Sequence, residues 1–415
     1  MNVNRHDRDI LRRLAEKKAA VAAMPVQEER RQLWTALNRL DPVKPMVWLN
    51  EVPWNEVKSC ELNLECSDLF CQSIEKKLRR ELYQWDHMPG DMVVEPAIES
   101  PLAITDTGFG IEEDVESITL DPGSYVKSRH FKIQISDTDD VSKIKDPVVT
   151  HDVFKSEESF QAMAGIFKDV IPVRKAGLRG LWFAPWDYLI RWTGVEEALT
   201  DMALRPDYIH ALISRLVEAY QKMLDQYESL CLLSLNNQNV RIGSGAYGYS
   251  DELPAKGFNP EQVKTGDLWG CATAQIFSEV SPEMHWEFAM QYEVRWMERF
   301  GLNYYGCCEP LHNKLEILKC VPRLRKISVS AWMDVNKAVR EAGGKYVFSL
   351  KPNPAFLAED TWRPDQVRKE LETKLAVMRG CPVEIIMKDI STFRYEPERL
   401  WEWAKIASKT AEKYA

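Results

Sequence analysis

Between residues 281 and 389, short apolar runs alternate with longer amphipathic stretches. That alternation restricts the fold more than anything else in the chain. The runs 302–307 (LNYYGC), 326–331 (KISVSA), 345–350 (KYVFSL) and 383–388 (VEIIMK) have the length and composition of strands. The stretches between them have the helical period. A helix opened by Ser281-Pro282 carries Phe288, Tyr292 and Trp296 on one face, and one opened by Pro364 carries Val367, Leu371 and Leu375. Farther upstream, Pro206 opens a helix striped by Ile209, Leu212, Leu216, Tyr220 and Met223. Proline suits such starts because the first helical N–H has no partner to lose. Strands joined through helices of this length run parallel. The expectation is therefore an α/β fold, a (β/α)8 TIM-type barrel. Residues 46–50, 92–96, 179–184, 230–235 and 239–243 are further strand candidates. Together they make one strand more than a barrel closes with, so at least one lies outside it.

Two segments stand apart from this pattern. Residues 5–40 read as helix, with Ile10, Leu11, Leu14 and Val21 and then Leu33, Trp34, Leu37 and Leu40 at helical spacing. Pro25 splits the stretch in two. Residues 1–45 are thus expected to form a helical arm that caps the barrel or meets a second copy of the chain, and residues 46–415 the barrel itself. Residues 106–155 are rich in Asp, Ser and Thr without helical period and are read as an insertion beside the barrel mouth. The chain carries 54 basic and 63 acidic residues, a net charge of −9, which argues against a nucleic-acid-binding surface. It has neither a secretory leader pattern in residues 1–20 nor an apolar run long enough to span a membrane, so a cytoplasmic protein is expected. Its nine cysteines, an odd number scattered along the chain, look like reduced thiols and not a disulfide framework.

In a barrel the chemistry sits where the strands end. The densest reactive stretch is Asn303-Tyr304-Tyr305-Gly306-Cys307-Cys308-Glu309-Pro310-Leu311-His312, with two thiols, a carboxylate and an imidazole just after an expected strand. Soft thiolates beside an acidic ligand suit Zn²⁺, and Glu279 or Asp389 are candidates for the acidic position. Against this stands the plainer reading, in which one cysteine packs as a small buried hydrophobe and His312 is solvated. Glu309 and Asp389 are candidate catalytic groups, although Lys388-Asp389 equally reads as a rim ion pair. Trp182 and Trp186, in the run Trp-Phe-Ala-Pro-Trp, and Tyr305 are candidates for binding an aromatic ring, with core packing as the alternative. Glu51, leaving the first expected strand, either binds substrate or bonds to backbone in its turn. His210 and His285 fall in first helical turns on the expected outer wall and read as structural.

Several of these segments resemble the uroporphyrinogen decarboxylase superfamily. Residues 182–186 look like its Gly-Phe-x-Gly-x-Pro-Trp turn, residues 193–199 followed by Arg205-Pro206-Asp207 also carry the resemblance, and Ser281-Pro282-Glu283 resembles one of its helix starts. The resemblance covers roughly the C-terminal two-thirds well and implies the same barrel. The decarboxylases' Arg-Gln-Ala-Gly-Arg segment has no counterpart in residues 48–54, and a many-carboxylate porphyrinogen needs such cations. The resemblance therefore implies the branch of cobamide-dependent methyltransferases, whose zinc motif falls at 305–309, and most closely the aryl O-demethylating kind. In that branch Glu279 with Cys307 or Cys308 would hold zinc. Departures are visible: Gly306 stands where the family has the His of His-x-Cys, and Val347, Phe348 and Ser349 occupy the stretch of its final cysteine.

The expectation that follows is a zinc-dependent methyltransferase. It would move a methyl group from a small substrate, such as an aryl methyl ether, to the cob(I)alamin of a separate corrinoid protein. Two alternatives are a metal-free decarboxylase or lyase of a small carboxylic acid and a non-catalytic binding barrel.

Overall fold

Proline sets the helix starts. In the computed structural model, which describes residues 3–118 and 128–415, Pro25, Pro185, Pro206, Pro282 and Pro364 each stand in a first helical turn. There the ring costs no hydrogen bond. Pro25 accordingly divides the N-terminal region into the helices Arg5–Ala22 and Pro25–Asn38. The expected stripes face inward: Ile209, Leu212, Leu216 and Tyr220 on Pro206–Ser229 are buried, as are Val367, Leu371 and Leu375 on Pro364–Val377.

The strands of the described residues are, in chain order, β1 (Met46–Leu49), β2 (Ile98–Pro101), β3 (Ile104–Asp106), β4 (Val115–Ile118), β5 (Ser128–Phe131) and β6 (Val149–His151). They continue with β7 (Val173–Ala176), β8 (Trp269–Ala272), β9 (Leu302–Tyr305), β10 (Leu324–Val329), β11 (Val347–Leu350) and β12 (Val383–Met387). The chain divides into two units, the first formed by Met1–Ala103, Asp152–Gly177 and Lys351–Ala415, the second by Ile104–His151 and Leu178–Leu350.

In the first unit β1 runs parallel to β12, and β2 parallel to β7. Ile10, Leu11 and Leu14 of the first helix share a core with Ile74 and Leu78 of the helix Leu69–His87 and with Ile166 and Phe167. The expected strand at 92–96 is not one. Side chains of the second helix take two of its backbone groups and a turn takes a third: Val94 N donates to Gln27 Oε1 at 2.9 Å, Met92 O accepts from Arg30 Nη1 at 2.8 Å, and Met92 N donates to Pro89 O at 2.8 Å. A helix thus holds this buried segment extended without a ladder.

In the second unit β8, β9, β10 and β11 are parallel neighbours in that order. Helical turns spanning 282–297 connect β8 to β9, Leu315–Leu318 lies between β9 and β10, and Val335–Ala342 between β10 and β11. This is an α/β arrangement around parallel strands. Of the segments expected as strands, 230–235 and 239–243 contribute isolated bridges, Leu233 to Leu178 and Arg241 to Tyr247, and 179–184 contributes none. The side-chain amide of Asn236 adds to the backbone bonds from Ser234 N to Leu178 O and from Thr273 N to Phe183 O. Its Nδ2 donates to Arg179 O and Trp269 O, and its Oδ1 accepts from Trp269 N at 2.9 Å.

The segment read as an insertion forms two antiparallel pairs, β3 with β6 and β4 with β5; its residues 119–127 lie outside the described residues. Asp146, paired with Arg215 and Lys222, fastens it to the helix Pro206–Ser229. Among the described residues no helix is long and apolar enough to cross a membrane.

Candidate functional site

β9 ends at Tyr305, and Gly306 then adopts φ 95°, which turns the chain out of the strand. A Cβ on Gly306 would stand 2.8 Å from Leu311 Cδ1 and 3.0 Å from Ser328 Cβ, so both the backbone angle and the space demand glycine. Because the strand has already ended, Cys307 and Cys308 escape the alternation that would point them to opposite faces. Their sulfurs lie 3.6 Å apart, with Cys307 5% exposed and Cys308 open to solvent.

The loop is pinned from several strands. Gly306 N donates to Ala272 O at 2.9 Å, Ser244 Oγ donates to Gly306 O at 3.1 Å, and Ser328 Oγ donates to Cys307 O. Glu309 is wholly buried, and both of its carboxyl oxygens accept. Oε1 takes the Thr273 hydroxyl and Oε2 the Cys307 amide, each at 2.9 Å. The side chain therefore ties the residue just after β8 to the turn just after β9.

A chain of buried ionisable groups continues from the same loop. Tyr305 OH donates to Glu293 Oε2 at 2.7 Å and meets His285 Nε2 at 2.7 Å. Burial pushes the Glu293 carboxyl up to about 8, against the Tyr305 hydrogen bond and with Glu309 and Asp187 adding to the rise. Burial, with the Lys314 charge adding, lowers the His285 imidazole to about 3. Lys314 is itself lowered to about 8 by burial, although Glu309 and Glu279 favour its charged form, and it donates to Phe277 O. Asp187, in the first turn of the helix Pro185–Thr193, is raised by burial while accepting from Gln275 Nε2 at 3.0 Å. Buried groups shifted in both directions around the loop after β9 make this cluster the candidate reactive site.

Of the candidates read from sequence, Cys307, Cys308 and Glu309 come together. Glu279 is exposed at the end of the turn Gln275–Ser278, and among the described residues no three His, Cys, Asp or Glu side chains are gathered to hold one ion. Trp182 is 40% exposed. Trp186 is 1% exposed, donates to Phe288 O at 3.0 Å and meets Phe277 edge-on, so its ring faces protein. Tyr305 is likewise enclosed, its hydroxyl engaged between Glu293 and His285. Glu51 and Asp389 belong to the first unit, where Asp389 N donates to Glu51 Oε2 at 3.1 Å and Lys388 Nζ lies 2.9 Å from Asp389 Oδ2. Lys388 and Asp389 thus form an ion pair, whereas Glu51 accepts from the backbone after β12, outside its own turn. His210 bonds to Tyr292 OH, and His312 Nδ1 accepts from Asp334 N. His285, expected on the outer wall, is instead buried, because the wide turn Trp286–Met290 follows it and its ring faces Tyr305.

Thr273, Lys314, Asp187, Gln275 and Glu293 were not foreseen. Asp187 directly follows the aromatic run and Lys314 lies two residues beyond His312, so proximity to those motifs was the available signal. Thr273 and Glu293 carried none.

No family model and no curated protein matches the sequence. Among solved structures, the chain is similar to a methyltransferase from Methanosarcina mazei, with a TM-score of 0.46 and 10% identity over 92% of this chain and 98% of that one.

Proposed function

We propose that the chain is a methyltransferase whose reaction centre is the Cys307-Cys308 loop, with zinc held by the two thiolates. The observation that carries this reading is the 3.6 Å separation of the sulfurs. Two corners of a tetrahedron with Zn–S bonds of about 2.3 Å lie about 3.8 Å apart, so the pair is close to the spacing that shared coordination requires. Glu279 is the proposed acidic third donor, and it would have to move to join the thiols, because among the described residues no three such side chains are gathered. Bound there, zinc would supply Lewis acidity toward the oxygen of an aryl methyl ether.

The chain's own groups account for the rest. The Glu309 bridge fixes the thiol loop against Thr273, which keeps both sulfurs at one place. Trp182, 40% exposed, is the proposed support for the arene, and its indole lowers the Asp187 carboxyl against the rise from burial. A leaving phenolate needs a proton, and Asp187, raised by burial, is the proposed holder of one at its carboxyl. The methyl acceptor is the cob(I)alamin of a partner corrinoid protein in the cytoplasm, where thiols stay reduced. We also propose the closed (β/α)8 barrel as the frame. The order β8-β9-β10-β11 supports it, as do the extended segments that Asn236 links beside β8.

The test is methyl transfer from methoxyarenes to a reduced corrinoid protein, followed by loss of the cob(I)alamin absorbance. Cys307→Ser with Cys308→Ser is expected to lower the rate at least about a hundredfold. Turnover of a small carboxylic acid by that same double variant would establish the metal-free lyase instead.

A further inference from the structure

Cys307 and Cys308 follow one another in the chain, and their sulfurs stand 3.6 Å apart. At that separation the two sulfurs touch, and a disulfide needs about 2.0 Å. The two residues are unequally placed. Cys307 is 5% exposed, and its backbone is held on both sides, the amide by Glu309 Oε2 and the carbonyl by Ser328 Oγ. Cys308 is open to solvent. A molecule in solution therefore meets the Cys308 sulfur first, with the Cys307 sulfur fixed beside it. Cys66 and Cys71 of the first unit make the contrast: both are buried, and burial pushes the Cys71 thiol up to about 12. Buried thiols of that kind are inert.

We infer that Cys307 and Cys308 form a reversible oxidation site, at which a small-molecule disulfide links the two neighbouring residues. The Cys308 sulfur attacks one sulfur of the oxidant, whose S–S bond breaks; one thiol leaves with the electron pair and the Cys308 proton. The Cys307 sulfur then attacks the Cys308 sulfur, the mixed disulfide breaks, and a second thiol leaves with the Cys307 proton. The pair gives up two electrons and two protons, and the oxidant becomes two thiols.

Adjacent Cα atoms lie about 3.8 Å apart across a trans peptide, short of the about 4.4–6.8 Å that disulfides usually span. The bond is thus strained and easily reduced. It forms while oxidant is in excess and reopens when it is not. A disulfide is no thiolate, so oxidation would release the proposed zinc. That consequence, unlike the bond itself, rests on the methyltransferase reading.

The test is excess glutathione disulfide on the full chain, with and without a chelator, then alkylation, trypsin and mass spectrometry. Both thiols fall in one tryptic peptide, residues 300–314, which holds no other cysteine. The expected product has lost two hydrogens, carries no glutathione and regains both thiols with dithiothreitol. Cys60, Cys231 and Cys320, exposed and with no cysteine beside them in the chain, are expected to keep glutathione, which shows that the oxidant acts. Cys307→Ser should likewise keep glutathione at Cys308, since the resolving sulfur is gone. Glutathione retained at Cys308 of the native chain, or both thiols intact once those three have reacted, would overturn the inference. Faster oxidation with chelator supports zinc on the same sulfurs. Equal rates leave the disulfide standing and count against zinc, so the two readings fail separately.

Discussion

Glu309 is enclosed on every side, and its two oxygens are both spoken for by Thr273 and the Cys307 amide. Removing one partner of such a pair leaves a buried acceptor short of a donor. Thr273→Val, which keeps the shape and deletes the hydroxyl, should cost about 1–3 kcal/mol in chemical denaturation. Glu293 and His285 make a second prediction, in pH. A carboxyl raised to about 8 loses stability as pH climbs from its ordinary value of 4.5 toward 8, because the unfolded chain ionises first. An imidazole lowered to about 3 loses stability as pH falls below 6.5, because the unfolded chain takes up the proton first. Between pH 4.5 and 6.5 the two slopes oppose each other. Glu293→Gln should remove the decline above that window and leave stability rising with pH inside it, measured as denaturation midpoints from pH 4.5 to 8. The thiols and Glu309 were legible because they sit side by side in the chain. The groups that surround them come from segments distant in sequence, and a buried Glu293 or His285 looks no different in a sequence from a solvated one.

At the level of elements, glycine decides where strands can end and how closely they approach. Gly306 turns the thiol loop, and Gly270 within β8 leaves room for the Phe300 ring, which a Cβ would meet at 2.5 Å. Gly306→Ala would combine a disfavoured backbone angle, about 1–2 kcal/mol, with contacts against Leu311 and Ser328. It should therefore lower the denaturation midpoint and also shift the two sulfurs, reducing zinc affinity more than Gly344→Ala, where nothing lies within 4 Å of the new Cβ. The later strands, β9 to β12, were readable because they are apolar runs bounded by clear helix starts. β8 was missed: Trp-Gly-Cys-Ala is short, interrupted by glycine and preceded by a turn-rich stretch. The false strands at 92–96 and 179–184 have the right composition, but side chains take part of their backbone bonding: Gln27 Oε1 accepts from Val94 N and Asn236 Nδ2 donates to Arg179 O. Composition reports burial and extension. It does not report which group completes the hydrogen bond.

At the scale of the whole molecule, the acidic balance and the parallel α/β strands follow from composition and periodicity, whereas the division of the chain into units does not. The first unit draws on three separate stretches of the chain, and no local pattern marks where they join. In the second unit the Cys307 and Cys308 sulfurs lie 3.6 Å apart, and the proposed zinc would be held there. Zinc analysis of the protein purified under reducing conditions tests it most directly, comparing the native chain with Cys307→Ser plus Cys308→Ser. The account predicts about one zinc per chain in the native protein and none in the double variant. Equal zinc in both, or full methyl transfer by a native protein without zinc, would contradict it.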